Sequence, residues 1–301
     1  MRTFAAVFQT MRPPFLLLVM SCLVQSLGML TYLNIDWSWL LFSLVFVCGL
    51  SAHIAVNMLN EYHDCASQLD FNTSKTPFSG GSGALVLNPG ALSAVKTVGW
   101  LFVFSTILSG LLILNMTKAQ PANLVLMGIV GVAIIIAYTP VLNRYAWLCL
   151  IAPGVGFGVL MSYGSFVVLS GSHLWIAFIL ALVPSLLTNN LLLLNQFPDA
   201  QADAEHGRNH IVIKRGYRMA ASVYFVQWQL AVLALVIGLW WLSVPWYVFL
   251  AGLPLVFGLR IYALSKDYTA TTPAFLAGMG QNVLMTLLTP VLLGVLLCVA
   301  G

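Results

Sequence analysis

Nine apolar stretches run along the chain, near 13–33, 39–59, 91–116, 122–141, 145–170, 173–194, 218–242, 245–265 and 274–299. Each approaches or exceeds the roughly 20 apolar residues that carry a helix across a bilayer. The pattern predicts nine transmembrane helices, and proline or glycine within them does not change the count, because lipid-embedded helices tolerate both. Connections are short, apart from 60–90 and 195–217. No stretch is polar enough for a soluble domain, so the expectation is one all-α polytopic membrane domain over residues 1–301.

Composition agrees. The chain is 60% hydrophobic and only 7% charged, where a soluble domain carries about 25% charged residues, and its mean hydropathy is +0.96. Cys22, Cys48, Cys65, Cys149 and Cys298 are scattered without CxxC spacing, which argues against a disulfide framework or a zinc site. A net charge of +4 is small and forms no nucleic-acid patch. The first apolar run lacks a small-residue cleavage site, so no removable signal is expected.

Basic residues orient the helices, since cytoplasmic loops collect lysine and arginine. With the N-terminus inside, Arg2, Arg12, Lys75, Lys96, Arg144, Arg208, Lys214, Arg215, Arg218, Arg260 and Lys266 all fall on the cytoplasmic face, and Lys118 alone falls outside. The expected topology is N-in, C-out.

Six of the eight acidic residues sit in two clusters that each end an apolar run: Glu61, Asp64 and Asp70, then Asp199, Asp203 and Glu205. The orientation places both on the cytoplasmic face, without having used them. Charge beside hydrocarbon is costly and generally serves a function. Asn57, Asn60 or Glu61, and Asp64 share one face if the second helix continues past Asn60. Asp70 falls on the loop beyond. Carboxylates converging from a helix and its following loop suit magnesium, which takes oxygen ligands and shares phosphate oxygens with a substrate. The alternative is an ordinary polar helix end meeting water.

Lys75 and the Ser79–Gly83 run follow, able to offer a point charge and backbone N–H groups to an anion. In the second cluster, Asn195, Asp199 and Asp203 form a line about 12 Å long on a helix, with a kink expected at Pro198. Basic residues follow at Arg208, Lys214 and Arg215. Two acid clusters with basic neighbours point to a metal-clamped diphosphate, with Lys75, Arg144 or Lys214 neutralising the departing charge.

The pattern resembles the UbiA superfamily of intramembrane aromatic prenyltransferases over nearly the whole chain. Asn60-Glu61-Tyr62-His63-Asp64 with Asp70 is similar to that family's NDxxD motif and its further aspartate, and Asp199-Ala-Gln-Ala-Asp203 to its second motif. Arg12-Pro13-Pro14, Tyr138-Thr139-Pro140, Gly207-Arg208-Asn209 and Lys214-Arg215-Gly216 resemble further family positions. The resemblance implies helices around a central cavity under a cytoplasmic cap. It also implies Mg2+-dependent transfer of a prenyl group from a prenyl diphosphate to an aromatic acceptor, in a bacterial inner membrane. It carries over Asn60, Asp64, Asp70, Asn195, Asp199 and Asp203 to the metal–diphosphate site, and Lys75 to the basic position beside it. The Asp64-to-Asp70 gap is more similar to the 1,4-dihydroxy-2-naphthoate branch. Glu61 stands where the family has aspartate and is expected to ligate magnesium in altered geometry.

Within that reading Asp64, Asp199, Lys75 and Tyr138 are the expected catalytic residues, and Asn57, Asn60, Lys75, Arg144, Asn195 and Lys214 bind substrate. Asn60, Glu61, Asp64, Asp70, Asp199 and Asp203 hold metal. Tyr138 and Tyr163 are candidates to face an allylic cation, which ring quadrupoles attract. His63 is a weaker candidate base. His206 and His210 are expected at the surface, and His53 either lines the pocket or packs in the interior. Competing readings are a polytopic transporter, and the same diphosphate chemistry on another acceptor: cyclisation, or prenylation of a lipid or haem. A homo-oligomer is compatible with the sequence.

Overall fold

The computed structural model describes residues 2–301. All regular elements among them are helical. In order they are α1 (Arg2–Thr10), α2 (Leu17–Tyr32), α3 (Trp39–Ala66), α4 (Leu69–Asn72), α5 (Ala84–Leu87), α6 (Leu92–Met116) and α7 (Pro121–Ala137). Then come α8 (Ala146–Gly154), α9 (Gly164–Ser170), α10 (Trp175–Glu205), α11 (Ile211–Trp241), α12 (Gly258–Lys266) and α13 (Pro273–Ala300). Val155–Tyr163 is a wide π-helical stretch joining α8 to α9, and Trp246–Phe257 a tight 3-10 stretch leading into α12. Eight of these helical segments are long and apolar enough to cross a membrane, and α7 is a shorter apolar helix of 17 residues. Backbone hydrogen bonding inside each segment is what hydrocarbon requires.

The ends follow local chemistry. Ser38 accepts from the Leu41 N–H and Thr272 from the Phe275 N–H, capping α3 and α13. Helices α2 and α13 cross at a glycine pair, where a Cβ on Gly28 would lie 2.2 Å from the Gly294 carbonyl oxygen. Small residues at such crossings let helix backbones approach in lipid. Buried polar side chains tie α10, α11 and α13 together: Asn190 donates to the Tyr224 carbonyl, Gln227 to Asn190, and Tyr224 to Asn282.

Two expectations are revised where it matters for the site. Residues 60–66 are not loop: α3 continues to Ala66 and carries the whole Asn57–Asp64 series. Likewise α10 runs unbroken through Pro184 and Pro198 to Glu205, so the second acidic series is entirely helical. The segment before residue 13, which no predicted span covers, is helical over Arg2–Thr10. Helix α1 packs Ala6 into a small core with Ile54, Met58 and Leu85, then turns at Arg12, whose φ of 54° breaks the helix before Pro13.

Candidate active site

Both acidic series reach the same end of the bundle. From α3, Asn60 donates to Asp64 Oδ2 at 3.0 Å and to Thr139 Oγ1 at 3.1 Å. The turn after α10, closed by Gly207 at φ 77°, swings Arg208 back across the gap. Its guanidinium donates to Asp203 Oδ1 at 3.0 Å and, through its other terminal nitrogen, to Asp64 Oδ1. Burial works against the Arg208 charge, but Asp64 and Asp203 outweigh it and hold the guanidinium above its ordinary range. His210 completes the second series, with Nε2 3.0 Å from Asp203 Oδ2.

The glycine-serine loop closes over these groups. Thr76 Oγ1 accepts from the N–H groups of Phe78 and Ser79, fixing the turn. Gly80 and Gly81 adopt φ values of 77° and 68°, a region where a side chain is strained. That conformation brings the Gly80 N–H within 3.2 Å of Asp199 Oδ2, and it places Gly81 where a Cβ would lie 3.1 Å from Asp70 Oδ1.

The polar cavity is about 100 Å³, walled by Asn60, Asp64, Asp70, Asp199, Asp203 and Arg208 among others. It adjoins an apolar cavity of about 750 Å³ between α3, α6, α7 and the α8–α9 segment. Arg12, Asn60, Tyr138, Leu192 and Asn195 line both, and so mark the junction.

Two buried carboxylate oxygens, Asp70 Oδ2 and Asp199 Oδ1, have no partner among the described residues. Buried acceptors are nearly always satisfied, and both belong to residues that wall the polar cavity. Burial first, then the charges of Asp64 and Glu61, push the Asp70 carboxyl up to about 7. An oxygen-rich, under-neutralised pocket of this kind fits a hard divalent cation. No group of three or more His, Cys, Asp or Glu is gathered for a metal among the described residues; Arg208 and the Gly80 N–H hold oxygens of Asp64 and Asp199.

Other expected site residues fall elsewhere. Glu61 is fully buried and does not wall the polar cavity; its oxygens are taken by Arg12 and Ser82. Lys75 is exposed and folds back onto the Ser82 carbonyl of its own loop. Arg144 and Lys214 are exposed, and neither lines a cavity. Asn57 faces the apolar cavity while its amide holds the Met11 carbonyl at 3.0 Å. Tyr138 lines both cavities at their junction, whereas Tyr163 pairs with His173 and lines neither cavity. His210 is interior, not at the surface. His206 is half-buried, with Nδ1 2.8 Å from the Ala202 carbonyl. His63 packs edge-on against Tyr62 and lines neither cavity. His53 does line the apolar cavity, edge-on to Phe157, and its buried Nδ1 has no partner.

Arg12 and Arg208 are the two cations that the structure places at the cavities, and neither was selected from the sequence as a site residue. Positive-inside orientation had accounted for both. The available signal was local: Arg12 interrupts an apolar segment before two prolines, and Arg208 follows a glycine directly after the acidic series.

The fold has close counterparts. It matches a UbiA homologue from Archaeoglobus fulgidus bound to DMAPP and Mg2+, with a TM-score of 0.65 and 11% identity, covering 96% of this chain and 99% of that one. An apo UbiA homologue from Aeropyrum pernix K1 matches with a TM-score of 0.64 and 17% identity over 94% and 97% of the two chains. A digeranylgeranylglyceryl phosphate synthase matches with a TM-score of 0.60 and 16% identity over 100% and 99%. At such identities the likeness speaks for the fold alone. No curated protein sequence matches the chain significantly. The profile of the UbiA prenyltransferase family matches residues 18–285, most of the chain, and the chain therefore belongs to that family.

Proposed function

We propose that the protein transfers a prenyl group from a prenyl diphosphate to an aromatic acceptor inside the membrane, with Mg2+ held by the two acidic series. The observation that carries the reading is the junction: a polar pocket with carboxylate oxygens from both series unpaired among the described residues shares wall residues with a large apolar cavity. A prenyl diphosphate has that same division between an anionic head and an apolar tail. Solved relatives of this fold are bound to DMAPP and to GPP together with Mg2+.

Asp64, Asp70, Asp199 and Asp203, with Asn60 and Asn195, are the residues that would hold magnesium and diphosphate. Magnesium supplies Lewis-acid neutralisation of the departing diphosphate. Arg12, at the junction, adds a fixed positive charge aimed at the same head group. The tail lies in the apolar cavity, which excludes water from the reacting carbon. Tyr138 presents its ring where the carbon–oxygen bond breaks, so that developing allylic charge meets an aromatic face. An electron-rich ring carbon of the acceptor then attacks and loses its proton. His53, with its unpartnered nitrogen on the apolar wall, is placed to hydrogen-bond a polar substituent of the acceptor.

Within this reading α7 is the ninth span, the N-terminus is cytoplasmic, and the site opens to the cytoplasm of a bacterial inner membrane. The longer Asp64-to-Asp70 spacing favours a 1,4-dihydroxy-2-naphthoate-type acceptor over a 4-hydroxybenzoate type. Incubating the purified protein with Mg2+, prenyl diphosphates of several lengths and a panel of aromatic acids tests this. The expected outcome is a prenylated aromatic in the lipid extract by mass spectrometry. Diphosphate release with a cyclised hydrocarbon, or a prenylated lipid alone, would replace the aromatic acceptor.

A further inference from the structure

The first acidic series contains a carboxylate that does not behave like its neighbours. Glu61 lies one residue past Asn60 on α3 and is completely buried. Its Oε1 accepts from Arg12 Nε at 2.8 Å and from the Ser82 N–H at 2.7 Å, with Arg12 Nη2 at 2.6 Å. Its Oε2 accepts from Ser82 Oγ at 2.7 Å. Both oxygens are therefore committed to partners from two other segments. Asp64 and Asp203 are also paired at both oxygens, but they, like Asp70 and Asp199 with their buried oxygens unpaired among the described residues, wall the polar cavity, and Glu61 does not.

What Glu61 holds is placed at the site. Arg12 lines both cavities and reaches Asn60 Oδ1 at 3.4 Å. Its backbone sits in the left-handed region, a conformation that a non-glycine residue keeps only when its surroundings impose it. Ser82 ends the loop whose Gly80 N–H meets Asp199 and whose Gly81 lies against Asp70. One buried carboxylate thus ties the break after α1 and the glycine loop to the helix that carries Asn60 and Asp64.

We infer that Glu61 is a positioning residue rather than a metal ligand: it aims Arg12 at the diphosphate and fastens the Ser79–Gly83 loop over it. This rests on the prenyl-diphosphate reading for the identity of the anion, but not for the fastening itself. Glutamate suits the task because its extra methylene, relative to aspartate, carries the carboxylate to the loop at Gly81 and Ser82.

The test compares Glu61→Gln, which keeps the shape and removes the charge, with Asp70→Asn and Ser82→Ala. In Glu61→Gln the KM for prenyl diphosphate should rise roughly tenfold, the value of one charge-assisted hydrogen bond, while the magnesium concentration giving half-maximal rate stays at the wild-type value. Asp70→Asn should raise the magnesium requirement instead. Hydrogen exchange of residues 79–83, followed without substrate or metal, should quicken in both Glu61→Gln and Ser82→Ala, and only Glu61→Gln, which also loosens Arg12, should show the full KM effect. A magnesium requirement raised in Glu61→Gln as far as in Asp70→Asn would overturn the inference, and so would wild-type protection of the loop in Glu61→Gln. Exchange is read without turnover, so a wild type inert toward prenyl diphosphates sinks the enzymatic reading and leaves the exchange result to decide the fastening.

Discussion

Arg208 donates to Asp64 across 144 positions of sequence, joining the end of α10 to the end of α3. It also holds Asp203, so one guanidinium couples the two acidic series. The carboxylates could not pack this closely without it, since like charges in a poorly solvated site repel strongly.

Removing that link should be costly. Arg208→Ala leaves Asp64 and Asp203 buried with less compensation, and breaking a buried pair from one side costs about 3–5 kcal/mol. A lower thermal unfolding midpoint in detergent is the expected outcome. Added Mg2+ should recover part of the loss, because the cation can neutralise the same oxygens.

Asp70 contributes to the pH dependence. Its carboxyl is pushed up to about 7, by burial first and then by Asp64 and Glu61. Magnesium must displace that proton, so apparent magnesium affinity should weaken as pH falls below about 7 and strengthen above it. The sign for the metal-free protein is opposite. A folded carboxyl raised above its unfolded value binds the proton more tightly when folded, so stability declines as pH rises from about 4 toward 7. Calorimetric magnesium titrations and unfolding midpoints across pH 5.5–8.5 read both effects, and Asp70→Asn should diminish both.

Gly81 is a steric prediction. A side chain there meets a φ of 68° and the Asp70 carboxylate at 3.1 Å. Gly81→Ala should cost about 1–2 kcal/mol in backbone strain alone and displace the loop from Asp70. The magnesium requirement should rise, whereas Gly90→Ala, where nothing lies within 4 Å, should behave as wild type.

Cations at the rim and at the junction should separate cleanly. Arg12→Gln removes a charge from the wall of both cavities and should cut kcat/KM on the order of 100-fold, as losing one preorganised donor does. Lys75→Ala, Arg144→Ala and Lys214→Ala remove exposed charges that line neither cavity, and their kcat/KM should stay near wild type. A large loss at Lys75 alone would mean that its loop rearranges when substrate binds.

Much of this was legible in the sequence. Apolar runs marked the spans closely: the stretch at 274–299 is α13 at Pro273–Ala300, and the one at 91–116 is α6 at Leu92–Met116. The spacing of Asn195, Asp199 and Asp203 predicted a single face, and α10 supplies it because the helix runs through Pro198. Other features depended on long-range packing. Helix α1 is short and amphipathic, with Phe4 and Phe8 exposed and Ala6 buried, so no hydropathy run announces it. Arg12 and Arg208 looked like topology signals because their partners, Glu61 and Asp64, are distant in sequence. The motif spacing listed Glu61 by residue type alone, and its partners Arg12 and Ser82 arrive from segments distant in sequence. The five-residue turn Ile211–Arg215 before the break at Gly216, φ 78°, is likewise set by docking of His210 onto Asp203.

The central claim is that the two acidic series make one magnesium–diphosphate site. It is tested most directly by magnesium-dependent binding of a prenyl diphosphate to wild type, Asp64→Ala and Asp199→Ala, each first shown to be folded. Wild type should bind only with Mg2+, and each variant should lose that binding although the two residues lie on different helices. Near wild-type binding by either variant at saturating Mg2+ would contradict a shared site.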